Sequence, residues 1–548
     1  MSGKTLFFLM IGTMLVSSAS TRLESKGPAS DNTPAALTGT VTSQAEGHME
    51  GVLVRAKPPG GTITVTVVSD SQGRYAFPRD RLQPGKYHLS IRAAGYDLDD
   101  PGVVEVSPNK TASVDLKLSK TKDLASQLMS TEWLISVPGT DEQKMELYQC
   151  VGCHSAALPL QGKHNADEFM SLFMRMRNHG PAAFLLKPVE LPYKVTEASP
   201  KDAAYAEYLS SINLSRDGKR SYDLKTLPRP TGKATKVIIT EYDLPNRLIE
   251  PHDAVVDRDG MVWFSDFGRN YIGRLNPRTG EAKQWPTPIL KQGFPEGGLD
   301  IKFDKQGNPW MTMLFQGGIA KFDKKTEKIS TWSVPEEHNN VHTRVGMISI
   351  SPKDGTVWFK SSTTLEVYGL DPKADRVFAT YAVPPMGVYG MEISSQGNLY
   401  LFGLGKSLVG VMDTKTGKTE LFPTPTPGGG PRRGDVDSQD RAWFAEYWSG
   451  KIGVFDPKTK EMKEWPVPTP WAGSYDLVVD KNKEVWAGGM STDYVFRLNP
   501  ATGEVTEYLL PTLDANLRRV DVDNSGDRVA VWVGEVHQAK LAKLEALE

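Results

Sequence analysis

Two short patterns recur along the second half of this chain, and their phase constrains the fold more than any other feature. One series reads "ITEYDLP", "AKQWPTP", "STWSVP", "ATYAVP", "TELFPTP", "KEWPVP" and "VTEYLLP". The other reads "VWFSD", "PWMTM", "VWFKS", "LYLFG", "AWFAE", "VWAGG" and "VWVGE". Its aromatic residues are Trp263, Trp310, Trp358, Tyr400, Trp443, Trp486 and Trp532, a step of roughly 42–48 residues. Hairpins such as "DRDG" and turns such as "NPRTG" fall between them. Four short strands in about 45 residues is one propeller blade. The first series starts before any blade and the second ends without a following partner. The strand near 237–243 is therefore expected to complete the blade of 518–540, joining the ends without a free sheet edge. The reading is a seven-bladed β-propeller over 236–540, in a chain that is mainly β.

The remaining sequence divides into shorter units. Residues 1–20 carry Lys4, an apolar run from Leu6 to Val16 and the small residues Ser18-Ala19-Ser20. This is the form of a cleaved signal peptide, since the run is too short to span a bilayer. The mature protein is expected to be periplasmic or secreted, with no transmembrane segment after cleavage. Residues 36–118 alternate with period two ("TITVTVVSD", "KYHLSIRAA") between turns such as "SQGR" and "QPGK", which predicts a small antiparallel β-sandwich. The stretch "SDSQGRYAFPRDRLQPGKYHLSIRAAGYD" resembles the carboxypeptidase regulatory-like family, which implies a spacer or adhesion module. Polar linkers are expected at 21–35 and 215–235. A net charge of −2 excludes a polyelectrolyte partner such as nucleic acid.

Residues 121–214 read as the helical part. "NADEFMSLFMRMRNHG" reads as a second helix with Asn165 as its cap and Gly180 as its stop, and Ser199 is placed to cap a last helix carrying Tyr205, Tyr208 and Leu209. The segment "YQCVGCHSAA" holds both cysteines of the chain, Cys150 and Cys153, with His154 next. A structural zinc site needs two more ligands at matching spacing, and His164 and His179 lack it. A redox dithiol remains open. C-x-x-C-H in an exported protein favours covalent haem c, the two thiols bonding the vinyl groups and His154 ligating the iron. Helix, motif, helix, loop and helix resemble a small class I cytochrome c domain. "RMRNHG" is similar to a segment of the cytochrome domains of quinohaemoprotein-type dehydrogenases, and by that resemblance Met176 is the sixth iron ligand. Met174, a histidine or an open position are the alternatives.

The innermost strand of each blade starts at one mouth of the central channel. At the position of His252 the other blades have Leu299, Met347 or its neighbour, Tyr389, Arg432, Tyr475 and Arg518. Such variety suggests a ligand site formed by Tyr389, Arg432, Tyr475 and Arg518. The alternative is that solvated Arg and Tyr side chains merely fill the mouth. Glu446 and Glu535 are further carboxylates at strand ends. In "LIEPHDAV", Glu250 and His252 are two apart and share a face if the strand is extended.

"DGMVWFSDFGRNYIGRLNPRTGE" and "DRAWFAEYWSGKIGVFDPKTKE" resemble the blade unit of the streptogramin (virginiamycin B) lyase family. That resemblance implies a Mg²⁺-dependent lyase with His252 as base and Glu250 as metal ligand. Asp266 is the nearest candidate for the second metal carboxylate, one residue out of register and one carbon shorter.

Three functions follow. The favoured one is an exported c-type cytochrome whose haem relays electrons to or from a redox partner protein or a small organic substrate at the propeller mouth. The second is the Mg²⁺-dependent lyase, and the third a non-catalytic propeller that binds glycan or protein.

Overall fold

The computed structural model describes Met1, residues 34–180 and residues 188–548; apart from Met1, the expected signal peptide lies outside the described residues. Six four-stranded antiparallel sheets follow one another over 251–286, 298–333, 345–382, 388–423, 431–466 and 474–509. The seventh sheet takes three strands from the end of the chain, Leu517–Asp523, Ala530–Glu535 and Lys540–Ala546, and its fourth from Val237–Asp243. The closing strand runs antiparallel to the last, from Val237 opposite Ala546 to Asp243 opposite Lys540.

The two sequence series meet as stacked rings within blades. Trp263 stacks on Trp285 with centroids 5.7 Å apart, Trp310 on Trp332 at 5.0 Å, Trp443 on Trp465 at 5.6 Å and Trp486 on Tyr508 at 5.8 Å. Four of these indoles donate to the aspartate six residues earlier, Asp257, Asp304, Asp437 and Asp480. Each bond ties an inner hairpin to its blade and satisfies a buried N–H. In the seventh blade Trp532 stacks on Tyr242 at 5.6 Å. The tyrosine of the first "ITEYDLP" thus supplies the ring that the other blades take from their own outer strand.

The sandwich is not a separate spacer. Val237–Asp243 also pairs antiparallel with Ile63–Val68. Blade seven and one sandwich layer consequently form a single eight-stranded sheet. Arg55 pairs with Glu241 at 3.2 Å, and Arg92 reaches Asp493 at 2.5 Å and the Leu510 carbonyl at 2.7 Å. The sandwich also departs from the purely antiparallel expectation. Its first strand, Ala35–Ser43, pairs in parallel with Ala112–Ser113 and Leu116–Lys120.

Among the described residues the middle segment has five α-helices: α1 (Ser130–Ser136), α2 (Asp141–Cys150), α3 (Ala157–Leu160), α4 (Ala166–Met176) and α5 (Asp202–Ile212). Thr140 caps α2 and Asn165 caps α4, each through a reciprocal capping box with Gln143 or Glu168. α4 ends at Met176, before Gly180. Lys201, not Ser199, occupies the cap position of α5, and Asp202 instead accepts from the Ser199 N–H at 2.8 Å. Phe169 and Phe173 of α4 stack in series onto Tyr205 of α5. The same apolar core continues through Leu147, Tyr148 and Leu209 into Tyr447, Tyr475 and Met490 of the propeller. The helices therefore cover the propeller mouth. Among the described residues no helix is long and apolar enough to cross a membrane.

Candidate functional site at the propeller mouth

Every innermost strand carries a register shift near its start, the irregularity that a β-bulge produces. A bulge places two successive side chains toward the same side of a strand. Each blade thus presents a pair of residues to the channel. Leu299, Met347, Tyr389, Arg432 and Arg518 line a cavity of about 380 Å³ together with Phe267. The residues that follow, Asp253, Asp300, Arg433, Asp476 and Arg519, form a buried ion cluster beneath it. Arg433 donates to both oxygens of Asp253 at 2.9 Å and to Asp300 at 2.7 Å, and lies 3.6 Å from Asp476.

His252 and Tyr475 do not line the cavity; both are completely buried just behind it. His252 Nδ1 lies 2.6 Å from Asp253 Oδ1, and Nε2 lies 3.2 Å from the Tyr475 hydroxyl. With the Nδ1 proton on the carboxylate side, Nε2 accepts from Tyr475. The Tyr475 hydroxyl is hydrogen-bonded to that of Tyr389, which faces the cavity. Burial pushes the His252 imidazole down to about 3, although Asp253 opposes this. The ring is neutral at ordinary pH. Burial opposes ionisation of Tyr389, yet the Arg432 guanidinium brings its phenol below the usual value. Arg432 lies over the rings of Tyr475, Tyr447 and Tyr389 at 3.9, 4.2 and 4.4 Å. The arrangement is a hydrogen-bonded chain, Asp253–His252–Tyr475–Tyr389, that links the buried carboxylate to the cavity.

The roof of the cavity is the C-terminal end of α2, which contributes Gln149, Gly152 and Cys153. The propeller grips this turn by its backbone. Arg518 donates to the Gly152 carbonyl at 2.8 Å, Asn516 to the Val151 carbonyl at 3.0 Å and Tyr148 to the Tyr447 carbonyl at 3.2 Å. A charged donor of this kind contributes about 1.5–3 kcal/mol. Cys150 is the last residue of α2, with its sulfur 3.5 Å from the Tyr205 hydroxyl. Burial pushes its thiol up to about 11. Burial also raises Cys153, which Arg518 partly offsets. His154 occupies a small pocket with His537, Asp514 and Asn516, and its Nδ1 lies 3.0 Å from the Ser155 carbonyl. Met490 lines both this pocket and the cavity. Met176, expected as an iron ligand, is 37% exposed at the end of α4 and lines neither space.

The lyase-type residues gather at the mouth end of blade one without forming a metal cradle. Asp266 ion-pairs with Arg269 at 2.7 Å and accepts from the Glu250 N–H at 3.2 Å. Glu250 precedes the strand Pro251–Val256 and packs on Gly268, where an added Cβ would lie 3.1 Å from its carboxyl carbon. The bulge beginning at Pro251 interrupts the extended geometry that would align Glu250 with His252. Among the described residues no group of three His, Cys, Asp or Glu side chains has the geometry of a metal site. Glu446 and Glu535 are fully buried rather than exposed at the mouth.

Residues 291–546 match the virginiamycin B lyase family. Residues 36–119 match the carboxypeptidase regulatory-like domain. The helical segment and the Glu250–Asp266 motif lie outside both matches. Among solved structures, the chain is similar to a virginiamycin B lyase from Staphylococcus aureus, with 21% identity over 56% of this chain and 99% of that one, at a TM-score of 0.50. A streptogramin B lyase structure gives 23%, 57%, 99% and 0.50. A catalytically inactive histidine-to-alanine virginiamycin B lyase from Staphylococcus aureus with quinupristin gives 20%, 56%, 99% and 0.50. At these identities the likeness establishes a shared propeller fold. No curated protein matches the chain.

Sequence reasoning reached the mouth ring and missed the ion cluster, Asn516 and Met490. The cluster had a signal: "HD", "LD", "RR", "YD" and "RR" stand at equivalent places in five blades. Reading it required the bulge.

Proposed function

We propose that this chain is an exported c-type haem protein in which a haem attached at Cys150 and Cys153 serves a ligand held in the propeller mouth. The observation that carries this reading is the docking of the "CVGCH" turn over the mouth, with Cys153 lining the same cavity as Tyr389, Arg432 and Arg518. The residues suit the group. Two thiols and an imidazole are the donor set of covalent haem; Cys153 lines the cavity with apolar walls, while Cys150 lies by Tyr205 and His154 in the adjoining pocket with His537. Cys150 and Cys153 would form the two thioethers and His154 would ligate the iron. When bound, the haem supplies one-electron transfer.

The chain's own residues supply the rest. Arg518 and Asn516 hold the motif against the propeller. The Tyr389 oxygen can accept a hydrogen bond from a ligand in the cavity, and Tyr475, His252 and Asp253 hold that tyrosine in place from behind. The electron partner is a redox protein or a small organic substrate at the mouth. A periplasmic or secreted location rests on the N-terminal signal.

The test is full-length protein matured with haem-attachment machinery. A reduced-minus-oxidised spectrum is expected to show a c-type α-band, and haem is expected to stay bound to the denatured chain. Cys150→Ala with Cys153→Ala should abolish both. A matured chain with no c-type spectrum would overturn the proposal.

A second reading, a lyase acting by proton abstraction, is favoured by the propeller's likeness to virginiamycin B lyases and by the closeness of Glu250, His252 and Asp266. In this structure Asp266 is committed to Arg269 and His252 is enclosed. These residues do not fit a Mg²⁺ site, and no step is derived through one. Linearisation of a streptogramin B depsipeptide without added water, lost in His252→Ala, would establish this activity.

A further inference from the structure

Three arginines, Arg344, Arg432 and Arg518, line the mouth cavity, and none of the described residues lining it is an acid. The channel's aspartates are taken by the arginines one residue further on, Arg433 and Arg519. Arg344 is bonded to the Tyr193 hydroxyl at 2.5 Å. Among the described residues Arg432 forms no ion pair with a carboxylate, whereas Arg518 shares its surroundings with the buried Glu250, both acting on the Cys153 thiol. Arg518 is only 4% exposed, and its bonds go to the neutral oxygens of Asn516 and Gly152. Arg432 rests on three tyrosine rings, and its Nε is buried without a hydrogen-bond partner. Aromatic faces attract a cation but do not neutralise it. A buried guanidinium without a carboxylate partner, as at Arg432, carries a desolvation cost. An anion entering the cavity would remove that cost, and a carboxylate matches the planar donor fork of arginine. Phe267, Leu299, Leu314 and Met347 form the other walls. The volume of about 380 Å³ is that of a small-molecule site.

We propose that the mouth cavity is a carboxylate-binding site, in which Arg432 and Arg518 take the anionic group and the apolar walls take the hydrocarbon part. The carboxylate has two sources, a free organic acid or the propionates of a haem attached at the roof. The inference stands on the cavity's charge and does not depend on haem attachment.

The experiment titrates full-length chain calorimetrically with benzoate and its neutral counterpart benzamide, in haem-free and haem-matured forms. Haem-free protein is expected to bind benzoate at least tenfold more tightly than benzamide. Arg432→Gln and Arg518→Gln should each weaken benzoate at least tenfold, while Arg432→Lys, which keeps the charge but not the fork, should weaken it less than Arg432→Gln. Because Arg518 also holds Gly152, the comparison of Arg432→Gln with Arg432→Lys decides if Arg518→Gln misfolds. Benzoate binding kept in the haem-matured form assigns the site to a free acid, and binding lost there assigns it to the haem propionates. No benzoate binding to haem-free protein, equal binding of benzamide, or affinity indifferent to Arg432→Gln would overturn the proposal. A matured chain lacking a c-type spectrum removes the haem proposal and leaves the benzoate result intact.

Discussion

Arg433→Met removes the cation on which the floor of the mouth depends. Arg433 is 3% exposed and makes two 2.9 Å bonds to Asp253 and one of 2.7 Å to Asp300. Methionine keeps the apolar stem and leaves buried carboxylates short of a partner, with Arg519 as the remaining cation at 3.5–3.9 Å. Breaking a buried pair from one side costs about 3–5 kcal/mol, a large part of the 5–15 kcal/mol typical of a folded domain. The pH dependence separates this account from a packing defect. Burial opposes the charge on Asp253, but Arg433 and His252 hold its carboxyl well below the usual range. Its stabilising contribution is therefore present above the unfolded carboxylate value and is lost as pH falls through the lowered folded value. Without Arg433 the folded Asp253 value rises above the unfolded one, so the variant gains stability relative to wild type as pH falls. Urea unfolding at pH 7 and pH 4.5 measures both. A penalty under about 1 kcal/mol at pH 7, or one that grows on acidification, would refute the reasoning.

Four further outcomes test other parts of the molecule. Burial pushes Glu446 up to about 7, so folding stability falls as pH rises from its unfolded value to about 7. Glu446→Gln should stabilise the fold at pH 8 by up to about 3 kcal/mol and give no gain at pH 4, read by denaturation at both. Tyr242→Ala removes the ring that stacks on Trp532 in the closing strand, and should lower stability by about 3–5 kcal/mol with faster proteolysis at the propeller ends. Asn165→Ala should cost about 1 kcal/mol, by calorimetry, through loss of the α4 cap. Arg432→Gln should raise the pH at which the Tyr389 phenolate forms, because the cation beside it is gone. An ultraviolet difference titration against wild type reads the shift.

The blade count and the closure of the propeller were legible because both are local patterns with a fixed period. The indole of each "VWF" strand and the ring of each outer strand lie within one blade, so their spacing appears directly in the text. The phase of the series placed the strand near 237–243 in the last blade, where the structure stacks Tyr242 on Trp532. The mouth residues were legible for the same reason, since equivalent places in successive blades face one axis. A resemblance of local text says nothing of where a helix end points, and Met176 lies exposed at the end of α4, outside the cavity that Cys153 lines.

The sequence by itself determined the repeat, its closure and the residue types that meet at the mouth. The tertiary structure alone decided that His252 and Tyr475 sit behind the cavity, that bulges turn a second ring of charges into the channel, and that the sandwich extends blade seven. It alone also set the "CVGCH" turn against Arg518, 366 residues away along the chain. Such contacts depend on how finished surfaces fit together, where burial and hydrogen bonding act between segments that carry no common pattern.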